Sequence, residues 1–443
     1  MEEIKRFMFK VVQQSGLSQT GTYLPAGINP MLTTAPKYDV DACMEEAEMV
    51  MGGAVQELLD RTGVRPAQVD ILVTNCSIFS ATPSLASMLI NKFKFRTDVQ
   101  SYHLGGMGCS NGVIGIGLMR DLLQARRNSV ALFVPAEVTS AAYYHGLHKH
   151  YMISNCIFRM GGAAVLLSNK PQHARVAKYQ LHCNVRVHTG QSDESYRCVT
   201  YGPDPDGANG VYLDKKIVAA AGAALESCLR RLLTWGQLLE ASVNYVGRAS
   251  GLVDWKAWRP SFSRSVEHFA IHAGGYAVLK GIQKGMDLPV DAVLPSFAAL
   301  RDYGNTSCST TWYSMAYIET CGKITKGQTV MQVGVGGGMK GGINIWRALR
   351  NNHTTHPAWV HLANSPITEA DLPRSIQAAP IPVDSKPSSV PSKAQAPLGA
   401  VEDSEASSGL PGGGAAVAVV GVSAVVPAAG VEGDDANGAE FML

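Results

Sequence analysis

The chain has 443 residues, a hydrophobic content of 46%, a charged content of 17% and a formal net charge of +2. That length exceeds one hydrophobic core, so two domains or one duplicated domain are expected. The near-neutral balance argues against nucleic acid or a charged membrane patch as partner, and nine scattered cysteines without a CxxC pair indicate neither a zinc knuckle nor a disulfide framework.

Residues 1–36 read as an N-terminal amphipathic helix, with Ile4, Phe7, Met8, Val11 and Val12 at helical spacing, followed by a Gly/Pro/Thr loop. No signal peptide is recognised, so a reducing compartment is expected. Residues 37–172 form a first half. It holds a helix over Cys43–Asp60, a β-rich run over Val69–Cys76, a helix from about Ser84 to Lys92, and strands over Ser129–Val134 and Phe158–Leu167. Residues 173–352 repeat the rhythm. A strand over Tyr179–His188, a helix over Lys215–Leu233, a strand over His268–His272, a helix over Ala277–Lys284 and a helix from Asn305 precede two closing strands that flank Gly334–Gly342. Alternating strands and helices predict an α/β fold with both sheet faces covered, its halves joined near residues 170–178. Residues 353–443 are expected to be a low-complexity tail, disordered above all from about Leu372, where Pro, Ala, Ser and Gly dominate. Within it Gly412–Val431 is apolar but carries Pro427, which reads as tail and not as a membrane-spanning helix.

Three stretches carry the chemistry. Leu104-Gly105-Gly106-Met107-Gly108-Cys109-Ser110 stands before an apolar helical run, which predicts a glycine turn with Cys109 in the first turn of a buried helix. The helix dipole there favours thiolate, and the glycines allow a substrate carbonyl to approach. The plainer alternative is a buried, inert cysteine beside a tight turn. His268 and His272 fall on one face of a strand, roughly 13 Å apart and too far to share a metal; no metal site is expected. His272 adjoins Gly274-Gly275 at the strand's exposed end, where function collects in α/β folds; a satisfied core histidine is the alternative. Asn305, in Tyr303-Gly304-Asn305-Thr306-Ser307, resembles a helix cap, and capping alone would explain it. Cys, His and Asn in this order suit a papain-like protease, but its C-G-[SA]-C-[WY] context is absent. They also suit a thiolase-fold condensing enzyme.

The motifs Asn75-Cys76-Ser77, Pro83-Ser84-Leu85, Gly105 to Ser110, Ser154-Asn155-Cys156-Ile157-Phe158-Arg159-Met160-Gly161-Gly162, His272 to Gly275, Gly304 to Ser307 and Trp346-Arg347-Ala348-Leu349 decide between them. Together, from about Leu17 to Arg350, they resemble the 3-ketoacyl-CoA synthases of very-long-chain fatty acid elongation in plants and algae. The resemblance implies a thiolase-like five-layer αβαβα fold of two duplicated halves. By the same similarity Cys109, His272 and Asn305 match the family's catalytic triad, and His188 and His268 match further family histidines.

The implied reaction has two stages. Cys109 takes an acyl group from a long-chain acyl-CoA; malonyl-CoA then loses carbon dioxide while His272 and Asn305 donate hydrogen bonds to its thioester oxygen, and the enolate attacks the acyl-cysteine. No cofactor is implied beyond the substrates acyl-CoA and malonyl-CoA. The loop Gly336-Gly337-Gly338 could offer backbone contacts to the thioester, or be a plain hairpin turn. The family implies a homodimer, elongase-complex partner subunits and the cytosolic face of the endoplasmic reticulum membrane. Three departures stand out: the chain starts after the two hydrophobic spans usual in the family, Arg301 replaces a histidine common there and is a candidate CoA contact, and Gly341 stands where a family cysteine follows Phe-Lys. Alternatives are a type III polyketide synthase-like enzyme and a non-catalytic partner subunit.

Overall fold

The computed structural model describes residues 2–18, 21–233, 235–250, 260–372 and 418–424. The helices α1 (Glu2–Gln14), α2 (Val40–Ala47) and α3 (Gly53–Thr62) come first, the last two joined by a π-turn over Glu48–Gly52. Then follow β1 (Ile71–Asn75), α4 (Leu85–Phe93), β2 (Gln100–Leu104), α5 (Asn111–Ala125), β3 (Val130–Glu137), α6 (Lys149–Ile157) and β4 (Gly161–Ser168). The second half contains β5 (Tyr179–His188), α7 (Asp193–Arg197), β6 (Val199–Pro203), β7 (Asn209–Leu213), α8 (Ile217–Arg230), α9 (Trp235–Ala249) and β8 (His268–Ile271). It continues with α10 (Tyr276–Gly285), α11 (Val290–Tyr303), α12 (Thr310–Cys321), β9 (Thr329–Gly336) and β10 (Lys340–Ala348); β11 (Ala418–Ala424) closes the order.

Local chemistry sets these boundaries. Asp39 caps α2 by accepting from Ala42 N at 2.9 Å, and Ser84 caps α4 by accepting from Ser87 N at 3.1 Å. Gly63, in the left-handed region at φ +67°, stops α3.

The strands run in the order β2-β1-β3-β4-β11-β5-β10-β9-β8. Because both faces are covered, alternate residues of one strand enter different cores. Leu72, Leu132 and Val134 pack outward with α3 and α4, while Ile71, Val73, Ala131 and Phe133 pack inward with α5 and α12. In the second half Phe269, Ile271, Met331 and Val333 face outward toward α8, α10 and α11, and Ala270 and Val330 face the shared central layer. The outcome is helices, sheet, the α5/α12 pair, sheet and helices: the expected five layers.

Two expectations about the tail change. Residues 353–372 belong to the fold: Trp359 is fully buried and its indole N–H donates to Tyr313 O at 3.0 Å, while His356 and Leu372 are also buried. Burial of one large aromatic outweighs the low hydrophobicity around it. The second change is β11, which lies inside the stretch Gly412–Val431. It pairs antiparallel with β4 from Ala418↔Ser168 to Ala424↔Ala163, and with β5 at Gln180 and Tyr179, so it joins the two half-sheets. Residues 373–417 and 425–443 of the expected tail lie outside the described residues.

The expected N-terminal helix is present as α1. It has no buried residue and is tied to α6 by Glu3 and Lys149 at 2.8 Å. Among the described residues no helix is long and apolar enough to cross a membrane.

Candidate active site

The site forms where the two central helices begin. Gly106 and Gly108 adopt φ of +64° and +73°, conformations open to glycine, and turn the chain into Cys109 and Ser110. A Cβ on Gly108 would stand 2.6 Å from Gly337 N, and one on Gly336 would stand 2.7 Å from Cys109 N. The Gly336-Gly337-Gly338 loop therefore lies backbone to backbone against the turn that leads into Cys109. The first turn of α5 also meets the segment leading into α12 directly, because a Cβ on Gly112 would fall 1.7 Å from Cys308 O.

Cys109 precedes α5, with Ser110 as its N-cap, and does not stand within the first turn. The expected thiolate is not found either. Burial pushes the Cys109 thiol up to about 11, with a hydrogen bond from Ser307 pulling the other way. Desolvation outweighs a helix dipole that acts on the residue only from outside the helix.

His272 follows β8, is 3% exposed and bonds Val333 O through its main-chain N–H at 2.8 Å. Its Nδ1 lies 2.6 Å from Thr310 Oγ1, which leaves Nε2 for a substrate. Burial pushes its pKa down to about 4, so the ring is neutral. Asn305 caps no helix; its Oδ1 accepts from Ser307 N at 2.9 Å and closes a turn in the segment that leads to α12. Its Nδ2 also donates to Gly274 O at 3.1 Å, beside His272, and a second N–H remains.

Ser307, which no sequence motif marks as reactive, holds the group together. Its main-chain N–H meets Asn305, its carbonyl accepts from Thr310 Oγ1 at 3.1 Å, and its hydroxyl lies 3.4 Å from Cys109 Sγ and 2.9 Å from Glu137 Oε2. Ser307 has φ +55°, an uncommon conformation for a residue with a side chain. Such an outlier clusters at functional sites. Glu137, which sequence reasoning also missed, ends the apolar strand β3; a lone carboxylate closing a buried run was the available signal.

Other candidates lie elsewhere. His268 shares a face with His272, but it sits at the amino end of β8, half-buried and 3.1 Å from Gln328 Oε1. His188 is exposed at the end of β5, opposite Lys340, and its Nδ1 accepts from Gly190 N at 3.1 Å. The guanidinium of Arg301 bonds Asp302 at 2.7 Å. None of these hydrogen bonds links the three to Cys109, His272 or Asn305.

Residues 1–240 match the family model described as FAE1/Type III polyketide synthase-like protein, and residues 263–348 match the C-terminal model of 3-oxoacyl-acyl-carrier-protein synthase III. The chain is 41% identical to 3-ketoacyl-CoA synthase 11 of Arabidopsis thaliana over 79% of its own length and 69% of the relative's. It is 42% identical to 3-ketoacyl-CoA synthase 2 of the same plant, over 79% and 67% of the two chains. In structure it resembles 1,3,6,8-tetrahydroxynaphthalene synthase of Streptomyces coelicolor A3(2), a bacterial type III polyketide synthase. The TM-score is 0.60 at 18% identity, covering 78% of this chain and 90% of the other. A structure of CsyB complexed with CoA-SH gives a TM-score of 0.60 at 19% identity, covering 78% and 91%. These two likenesses carry the fold alone.

Proposed function

The chain belongs to the 3-ketoacyl-CoA synthases, a family of condensing acyltransferases, and from that premise we infer how its residues divide the reaction. Cys109 Sγ attacks the thioester carbonyl of a long-chain acyl-CoA, CoA leaves, and the acyl group stays on the enzyme. Malonyl-CoA enters next. His272 Nε2 and the free N–H of Asn305 donate to its thioester oxygen, and the C–C bond to the carboxylate breaks to release carbon dioxide. The resulting carbanion attacks the acyl carbonyl, the bond to Cys109 breaks, and 3-ketoacyl-CoA departs. Two-step covalent catalysis replaces one hard condensation by two easier steps. Neutral donors suit an enolate, because their strength grows as charge develops on the oxygen. No group beyond the two CoA substrates is required.

One observation carries this reading. Ser307 touches Cys109 and Asn305 and, through Thr310, positions His272, so a single residue assembles all three. The test is direct: incubate the purified protein with a long-chain acyl-CoA alone and locate the adduct by mass spectrometry, then add malonyl-CoA. A thioester on Cys109 that disappears into 3-ketoacyl-CoA is expected; no adduct on Cys109 overturns the assignment. The family reading extends to a homodimer, to other elongase subunits as partners and to work at the cytosolic face of the endoplasmic reticulum membrane. The thiolase-like fold supports the first, and light scattering that returned a monomer would refute it.

A further inference from the structure

Glu137 has no role in the reaction above, although it stands two hydrogen bonds from the nucleophile. Its Oε1 accepts from Cys76 Sγ at 3.1 Å and from the main-chain N–H groups of Ser77 and Ile78 at 2.9 Å each. Its Oε2 accepts from Ser307 Oγ at 2.9 Å, and that hydroxyl is 3.4 Å from Cys109 Sγ. Glu137 is 4% exposed, and none of these bonded partners is a cation. A buried carboxylate without a counter-charge is costly to keep, and beside a nucleophile it is a functional candidate. The chain also accepts a strained φ at Ser307 to place this hydroxyl between thiol and carboxylate.

His272 is tied elsewhere: its Nδ1 lies 2.6 Å from Thr310 Oγ1, while the hydroxyl that reaches Cys109 Sγ, at 3.4 Å, is that of Ser307.

We propose that Glu137, acting through the Ser307 hydroxyl, receives the proton of Cys109, which leaves His272 a donor throughout. With the single Ser307 hydroxyl hydrogen turned onto Glu137 Oε2 and away from Sγ, the thiol gives its proton to Ser307 Oγ as Ser307 gives its own to Glu137 Oε2. The thiolate forms the new C–S bond, the bond to CoA sulfur breaks, and the proton returns through Ser307 to the departing thiolate, so acylation has no net proton change. After condensation Cys109 leaves as thiolate, and the one proton consumed, which balances the carbon dioxide released, comes from solvent. The titratable groups that share the field of Glu137 are thiols: Cys76 after β1, Cys109 before α5 and Cys308 before α12. Burial raises the pKa of Glu137, which makes it a better acceptor than an exposed carboxylate.

The proposal rests on Cys109 being the acyl carrier, but its test uses no acyl-CoA, so the two can fail separately. Alkylation of Cys109 by iodoacetamide is followed across pH in the full chain, with the labelled peptide read by mass spectrometry. The wild type is expected to show a reactivity plateau through neutral pH, because the proton stays within the protein. Glu137→Gln keeps the hydrogen-bonding shape but cannot take the proton, so its rate should rise about tenfold per pH unit, as solvent-limited ionisation requires. Ser307→Gly removes the hydroxyl, suits the positive φ and should behave the same way, which covers the case of a misfolded Glu137→Gln. His272→Gln should keep the plateau while losing malonyl-CoA decarboxylation. A plateau that survives in Glu137→Gln and Ser307→Gly, or is lost in His272→Gln, overturns the relay.

Discussion

The two central helices are approached by the chain in opposite ways. The segment before α5 is Gly105 to Ser110, where two glycines take positive φ and leave the turn clear of side chains. The segment before α12 is Gly304 to Ser309, where positive φ falls on Gly304 and also on Ser307, and where Asn305 Oδ1 and Thr306 Oγ1 accept hydrogen bonds that fix the path. The first segment clears space around a nucleophile. The second builds a polar framework that the nucleophile leans on. The first half brings the Cys109 thiol, and the second brings Ser307 and the groups bonded to it.

Removing the nucleophile is the largest way to break this pairing. Cys109→Ala should leave no acyl-enzyme and no 3-ketoacyl-CoA at all, checked by mass spectrometry and product assay, while an intact unfolding transition shows that the polar framework stands without it. The next effect is on stability. In Gly112→Ala the new Cβ meets Cys308 O where the segments touch, so the loss should reach or exceed the roughly 1–3 kcal/mol of core overpacking. Gly106→Ala meets nothing within 4 Å and should show only the backbone cost of φ +64°, about 1–2 kcal/mol. Denaturant unfolding of both variants reads the contrast.

Asn305→Asp tests the framework itself. A carboxylate cannot donate to Gly274 O or to the enolate, so a fall of about 100- to 1000-fold in malonyl-CoA decarboxylation is expected. Asn305→Ala should be less damaging, since it loses the donor without adding repulsion; the reverse order would place Asn305 outside the enolate's reach. His272 gives a pH signature. Its folded pKa is about 4 against an ordinary value of 6.5. Between those values only the unfolded chain binds the extra proton, so stability from this group is complete above pH 6.5 and falls as pH drops toward 4. The loss is on the order of 3 kcal/mol, and His272→Gln should flatten this part of the acid limb in thermal unfolding. Arg301→Ala is the smallest change. Its pairing with Asp302 is partly exposed, and such pairs are worth at most about 1 kcal/mol, so turnover and KM should stay within about fivefold. A larger rise in KM for a CoA substrate alone would show that Arg301 reaches the CoA portion of that substrate.

Strand and helix periodicity was enough for an α/β fold with both sheet faces covered. Cys109, His272 and Asn305 had only local marks, a glycine turn before an apolar helix, a strand's glycine-marked end and a polar loop before a helix, and it was the set of motifs together that singled them out. His268 shows where local pattern stops, because strand periodicity assigns a face and not which end of the strand is near Cys109. Glu137 and Ser307 lie 170 residues apart in sequence and meet only because β3 and the segment before α12 end at one place. The strand β11 was equally hidden. An Ala/Gly/Val stretch has no alternation to read, and its backbone N–H and C=O groups found partners only in the gap between β4 and β5, which tertiary folding creates. The thiol follows the same lesson: helix position argued for thiolate, and burial, which no sequence displays, pushes the Cys109 pKa up.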